Sequence, residues 1–404
     1  MRSLQKINFV ALIVSYFYFS YLKIGFGIPF HIFFLLLGLM INLVKINYMI
    51  NNFDRRLILL FIGLFFIYLK TYLIYPSVGI FTDIARSLGL IIIICYYVVS
   101  FVRNERDIIF FQNTIICVGS ISMSVAILQF LNVDFAWELR KFIDFSDDPA
   151  NIISAQISAR DRPPGLAYFS ITYSYQMLIV VSMFFAKYVT NPSFKNRFLL
   201  LFGVLGIFVS MSRSVMIGFA ISFIMFYLFK KYSATKLLTM VGLATCILIG
   251  FFSQEMRNLG SSNDSVRYFL VLAGINVAID YAILGIGSLD PTILTSEYME
   301  KYPVPSWAIL HSVHNSFLTP LIKHGLIMLI PIFYLYYIYS LKIKKIKFDR
   351  SELYCFFYVY IISYSIHSLF HNAGFFNKDQ LFWVIFSFLL AVNNFRTNNF
   401  FKRD

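Results

Sequence analysis

Charge is scarce in this sequence: only 13% of its 404 residues are charged, against 59% that are hydrophobic. A soluble domain of this length needs a polar surface that such a composition cannot supply, so a water-facing globule is excluded. Acidic residues are the scarcer kind, 20 against 34 basic ones, leaving a formal charge of +14. The excess invites nucleic acid, but the Lys and Arg residues stand in short hydrophilic gaps between apolar runs. That placement orients a chain in a bilayer. No nucleic-acid partner is expected. Cysteine is rare as well. Cys95, Cys117, Cys246 and Cys355 are widely spaced, lack a C-x-x-C pairing and sit inside apolar runs. They read as small buried hydrophobes, not as a disulfide framework or a metal site. No small-residue cleavage site follows the first apolar run, which is therefore expected to be a retained helix.

What is abundant is apolar sequence in membrane-sized pieces. A bilayer core takes about 20 residues of helix. Runs of roughly that size fall near 8–24, 28–46, 57–75, 84–102, 109–131, 166–186, 198–212, 214–230, 236–252, 315–341, 353–370 and 380–395. The expectation is an all-α polytopic membrane protein of about twelve transmembrane helices, forming one transmembrane domain over 1–404. The seventh and eighth runs are nearly continuous, broken at Met211-Ser212-Arg213-Ser214. One helix of about 33 residues would overshoot the bilayer, so a tight hairpin is expected there.

Orientation follows from the gaps. With Arg2 and Lys6 in the cytoplasm, alternate gaps carry Lys45, Arg55 and Arg56; Arg103 and Arg106; Lys187, Lys195 and Arg197; Lys230, Lys231 and Lys236; Lys342, Lys344, Lys345, Lys347 and Arg350; and Arg396, Lys402 and Arg403. Nearly every dense basic cluster then lies on one side, with both termini cytoplasmic. The opposite, periplasmic side receives two long segments, 132–165 and 253–313, and loops of such length are usually functional. Within the second, 266–280 is apolar enough to lie on the membrane surface.

Arg162, Arg213 and Arg267 fall on that outer side, against the positive-inside bias. An arginine fork suits phosphate or carboxylate, so a pocket for a lipid diphosphate is one reading. Snorkelling to headgroups, or pairing with Asp161 or Asp264, is the other. His314-Asn315 opens the tenth run, and an imidazole there is able to take a proton from a sugar hydroxyl or simply to bond the backbone. His311 and His314 have no carboxylate or Cys at ligand spacing, so no metal is expected. His367 and His371, four apart, either line the same cavity or face a neighbouring helix. Gly285-Ile286-Gly287 follows no strand and lacks a third glycine, which excludes a nucleotide loop and leaves a tight turn. Arg162-Pro163-Pro164-Gly165 reads as a rigid turn presenting Arg162. Trp137, Trp307 and Tyr302 suit either sugar stacking or a headgroup belt.

Four of these segments, in order, resemble the O-antigen polymerase and O-antigen ligase superfamily, the Wzy-type and WaaL-type proteins. Arg162-Pro163-Pro164-Gly165-Leu166 is similar to the family's Arg-x-x-Gly element, and Ser212-Arg213-Ser214 to its Ser-Arg pair at the outer end of a central helix. Arg267 with the stretch to Leu284-Gly285-Ile286-Gly287 resembles an Arg-then-Gly-x-Gly run. His314-Asn315 with Gly325 matches most of a periplasmic-loop histidine pattern, which Met328 breaks where a small or polar residue is expected. The resemblance covers roughly 160–330.

It implies a GT-C-like, metal-independent, inverting glycosyltransferase without cofactor, using undecaprenyl-diphosphate-linked oligosaccharide at the periplasmic face of a bacterial inner membrane. Arg162, Arg213 and Arg267 would hold the diphosphate. His314 would orient or deprotonate the acceptor, with Arg267 also catalytic and Asn315 beside the glycan. Gly165, Gly285, Gly287 and Gly325 would form turns. Membrane lipids and a chain-length regulator are the further partners implied. A Wzy-type polymerase is the first expectation, a WaaL-type ligase for lipid A-core the second. A flippase is the third, disfavoured because Lys323 is the main charge inside an apolar run.

Overall fold

The computed structural model describes residues 2–19, 22–24, 28–42, 54–143, 160, 162–231, 263–311, 313, 315–346, 351–371, 376 and 379–400. The run 236–252, His314, Asp161, and the side chains of Asp264 and Trp307 lie outside the described residues. Among the described residues the regular structure is helical, apart from a two-residue antiparallel ladder, β1 (Lys23–Ile24) with β2 (Ile28–Pro29). In order the helices are α1 (Arg2–Tyr18), α2 (Phe30–Asn42), α3 (Arg55–Ile74), α4 (Val78–Ile84), α5 (Ile91–Phe101), α6 (Glu105–Phe130) and α7 (Asp134–Ile143). Then come α8 (Ser170–Thr190), α9 (Phe194–Val209), α10 (Arg213–Lys231), α11 (Asn263–Asp280), α12 (Pro291–Met299) and α13 (Ser306–Ile309). The last four are α14 (Leu318–His324), α15 (Leu329–Ile346), α16 (Ser351–Ser368) and α17 (Gln380–Phe400).

Among the described residues three helical stretches, Arg55–Ile74, Glu105–Phe130 and Leu326–Ile346, are long and apolar enough to cross a membrane. Shorter apolar helices lie at Phe30–Ile41, Leu88–Phe101, Arg213–Leu228 and Gln380–Asn394. Together they make a multi-pass membrane protein. Its outer surface has the hydrocarbon-facing character this requires: Phe66, Leu73, Leu201, Ile330 and Phe333 are all exposed.

At the centre stands α8, apolar on every side and buried from Tyr173 to Ala186. A helix without a polar face belongs inside a bundle, and α8 packs on α6, α9 and α16. Helix α16 also carries α10, while α17 lies against α5 and α15. Where backbones come closest the residues are small. A Cβ on Gly119 would meet Val180 at 2.2 Å, and one on Gly218 would meet the Ser363 carbonyl oxygen at 2.9 Å, the small-residue packing expected where apolar burial cannot drive helices together.

Ionic ties close one end of the bundle, here called the basic end. Arg2 pairs with Asp107, Lys187 with Glu352 (3.6 Å) and Lys342 with Asp54 (2.5 Å). Each joins helix ends that the charge pattern assigns to one side. Asp54 also caps α3, accepting from Arg56 N at 2.9 Å. Burial raises its carboxyl pKa. The hydrogen bonds from Lys342 and Arg56, with their charges, outweigh that and hold it below the ordinary value.

The opposite, loop end departs from simple spanning runs. The fourth run, 84–102, belongs to a longer helical stretch, Val78–Phe101, in which Ala85–Leu90 is π-helical. The tenth, 315–341, is broken: α14 ends at Gly325 (φ 83°, ψ 173°) and a 3-10 turn over Leu326–Met328 leads into α15. The reason is a backbone clasp with the Gly285 turn. Ile286 N donates to Ile322 O (2.9 Å), Gly287 N to Lys323 O (3.0 Å) and Leu326 N to Ala282 O (2.7 Å). Lys70 of α3 fastens the clasp, its Nζ donating to the carbonyls of Ile283, Leu284 and His324 at 3.2, 3.0 and 2.9 Å. Met328 is fully buried beneath it.

Two predictions follow from these contacts. A Cβ on Gly325 would lie 2.7 Å from Ala282 O at a left-handed φ, whereas Gly63 in α3 has open space around it. Gly325→Ala should cost at least about 1–2 kcal/mol and lower the melting temperature in detergent, while Gly63→Ala leaves it unchanged or raised. Equal shifts would contradict the clasp. For Asp54, a depressed carboxyl pKa stabilises the fold at neutral pH and loses that contribution as pH falls through the depressed value. Melting measured from pH 7 down to about 3, across the carboxylate range, should show a shallower acid decline in Asp54→Asn than in the wild type.

Candidate functional site

The hairpin between α9 and α10 turns at Ser210–Ser212, with Met211 at φ 52°. Helix α10 opens on Arg213, whose side chain is exposed, and Ser214, whose side chain is buried. Ser214 meets two imidazoles at the end of α16: its Oγ is 2.9 Å from His367 Nδ1 and 3.1 Å from His371 Nε2. The histidines stand one turn apart, and their ring centroids are 4.3 Å from each other. A hydroxyl has one proton. It can donate to one ring nitrogen only, so at least one of the two histidines donates its N–H to Ser214 Oγ.

The segment around 315 reaches the same place. Ser316 N donates to Ser368 O at 2.9 Å, and Ser316 Oγ donates to the His371 carbonyl. Asn315 Oδ1 accepts from the backbone N–H groups of Phe317 and Leu318, both at 2.9 Å, capping the first turn of α14. Two stretches separated by about a hundred residues, 212–214 and 315–316, therefore converge on Ser368–His371.

Arg267 is exposed near the start of α11. That helix lies against the same segment, with Val277 and Ala278 packed beside Val313 and Leu318. Gly274 is close enough that a Cβ would meet Leu318 at 2.8 Å. Seven residues earlier, Arg267 is about 10 Å along the helix. Arg162 is exposed too, ahead of a turn that is tightly held. Gly165 (φ 57°) donates its N–H to Gln129 Oε1 at 2.9 Å, and Gln129 Nε2 returns a bond to Gly165 O at 3.1 Å. Among the described residues no hydrogen bond joins Arg162 or Arg267 to the Ser214 cluster.

Several side chains take parts that the sequence pattern does not assign. Arg140 is buried and donates to the carbonyls of Ala167 (2.7 Å) and Tyr168 (3.3 Å), holding the entry to α8. Its signal was the i, i+3 spacing from Trp137 on a short amphipathic helix. Trp137 is likewise buried, its Nε1 donating to Gln129 O at 3.1 Å, so it is a packing residue and not a sugar platform. Tyr302 stacks on Phe269 with centroids 4.8 Å apart. His367 and His371 do face a neighbouring helix, and what they face on it is the residue beside Arg213.

Residues 198–333 match a family model described as O-Antigen ligase. Across this segment the chain is similar to the O-antigen polymerase and ligase superfamily. The match takes in Arg213, Arg267, Asn315 and the glycines 285, 287 and 325, while Arg162, His367 and His371 lie outside it. No curated protein matches the chain.

Within this superfamily segment, Asn315 has an observed duty as a cap. Asn315→Ala removes both accepted bonds and should destabilise the protein by about 1 kcal/mol. Asn315→Asp keeps the acceptor oxygen and should melt like the wild type. An alanine variant as stable as the wild type would show that the cap contributes nothing.

Proposed function

We propose that this protein is a surface-glycan glycosyltransferase, an O-antigen polymerase. It moves the growing chain from undecaprenyl diphosphate onto a lipid-linked repeat unit at the periplasmic face of the inner membrane. Support comes from one observation above all. Two stretches of the superfamily segment, 212–214 and 315–316, meet at the end of α16. The loop end is the side that the charge pattern turns away from the cytoplasm.

On this reading Arg213, Arg162 and Arg267 bind the donor's diphosphate and stabilise the charge that develops on it as the glycosidic bond breaks. His314 orients or deprotonates the acceptor hydroxyl. The acceptor oxygen attacks the anomeric carbon directly and inverts it. The donor carries its own leaving group, so neither metal nor cofactor is called for, and no carboxylate pair is needed for a covalent intermediate. A chain-length regulator and membrane lipids are the expected partners.

A ligase that moves finished glycan to lipid A-core is the second reading, favoured by the description of the matched family. Both enzymes use the same donor, and deletion separates them. Loss of a polymerase leaves a single repeat unit on lipid A-core, and loss of a ligase leaves none. For the site, Arg213→Ala, Arg267→Ala and His314→Ala should each abolish or strongly shorten the polysaccharide ladder on a gel at normal protein level. An unchanged ladder in all three would refute the assignment.

A further inference from the structure

Ser214, His367 and His371 form a closed hydrogen-bonded unit that the reading above does not use. One imidazole comes from the last turn of α16 and the other from just past its end, and both bond the hydroxyl next to Arg213. A serine at a helix start usually needs one backbone partner. This one instead spans two rings. His367 is almost wholly buried, while His371 lies just past the helix end, nearer the surface. Ser212 Oγ stands 3.3 Å from Ser214 Oγ and extends the polar row. The Ser316 bond to the His371 carbonyl fixes the backbone from which that imidazole projects.

The chemistry of glycosyl transfer creates a task for such a unit. As the acceptor oxygen bonds to the anomeric carbon, its O–H proton must leave. The bond from the anomeric carbon to the phosphate oxygen breaks with its electron pair, and that oxygen becomes basic. An imidazole whose N–H donates to a hydroxyl that donates in turn to a second ring is fixed in one tautomer, and the hydroxyl stabilises the positive ring when its other nitrogen takes a proton. We propose that His371, Ser214 and His367 are the proton-handling unit of the transfer reaction, with His371 exchanging the proton and Ser214 and His367 positioning and polarising it. With His314 orienting the acceptor hydroxyl, its proton passes to His371 and is returned to the departing diphosphate, so the proton count closes on the substrates. The unit rests on the glycosyltransferase reading and adds to it three residues, two of them beyond the matched family segment.

The test uses the full-length protein, purified in detergent, extending a lipid-linked oligosaccharide. His371→Gln should lower kcat by about 100-fold, leave KM for the donor within about twofold and diminish the solvent deuterium isotope effect on kcat. Ser214→Ala should show the same pattern more weakly, and Ser214→Thr, which keeps the hydroxyl, should recover most of the rate. If His371→Gln and Ser214→Ala turn over like the wild type, with the isotope effect intact, the relay is wrong while the glycosyltransferase reading stands. A loss in donor KM with kcat preserved would overturn it in favour of a purely structural tie. Absence of any transfer by the wild-type protein would instead remove the reading on which the relay rests. Should His371→Gln fail to reach normal levels, the serine pair decides the matter alone.

Discussion

A backbone group freed inside a bilayer has no water to turn to, and this constraint shapes the whole loop end of the molecule. At each described break there, another element supplies the missing partner. Lys70 gives three protons to carbonyls around the two glycine turns, Gln129 brackets Gly165, and Arg140 holds the carbonyls ahead of α8. Asn315 caps α14. These are side chains doing the work that continuous helix does elsewhere. The result is irregular backbone that keeps a definite shape.

The same economy explains where the charges lie. At the basic end, Asp54, Asp107 and Glu352 neutralise Lys342, Arg2 and Lys187 across helix pairs. Most of the remaining carboxylates, 12 of the 20 in the chain, lie in the two long segments 132–165 and 253–313. Arg213 and Arg267 stand exposed there, close to the convergence point of three segments. Exposed guanidinium groups raise the local potential toward anions. The clasp and the imidazole pair matter to this field because they fix the helix ends from which the arginines project.

Much of the membrane architecture was legible in the sequence, because composition and run length are statements about lipid and water. The break at Met211-Ser212 was legible for the same reason, since one helix through it would not fit the bilayer. Less accessible was the split of the tenth run at Gly325. Its cause is a partner turn near Gly285, some forty residues earlier, and no local pattern in 315–341 announces it. The pairing of Ser214 with His367 and His371 was beyond reach too. The histidine spacing marks a helix face, but which helix it meets is decided by the packing of α10 on α16. Trp137 shows the reverse error: an aromatic in an outer loop suggests a headgroup-belt residue, yet a short amphipathic helix buries it against Gln129.

The surroundings of the imidazole pair argue that it is more than a helix fastener. Tyr175 of α8 lies 5.8 Å from His367 between ring centroids and 5.2 Å from Tyr364. Its hydroxyl, together with Ser368 Oγ, Gln176 Oε1, Tyr16 OH and one oxygen of Asp379, is buried without a hydrogen-bond partner among the described residues. Gln176 reaches the last turn of α1 by donating to the carbonyls of Tyr16 and Phe17 at 3.2 and 2.9 Å, and Tyr16 and Asp379 interact electrostatically, so these groups are neighbours. Each unpaired buried polar atom costs roughly 1–3 kcal/mol, and a bundle selected only for stability would replace them with carbon. Beside His367 stand the hydroxyls of Ser214 and Tyr175, groups of the kind with which an imidazole trades protons.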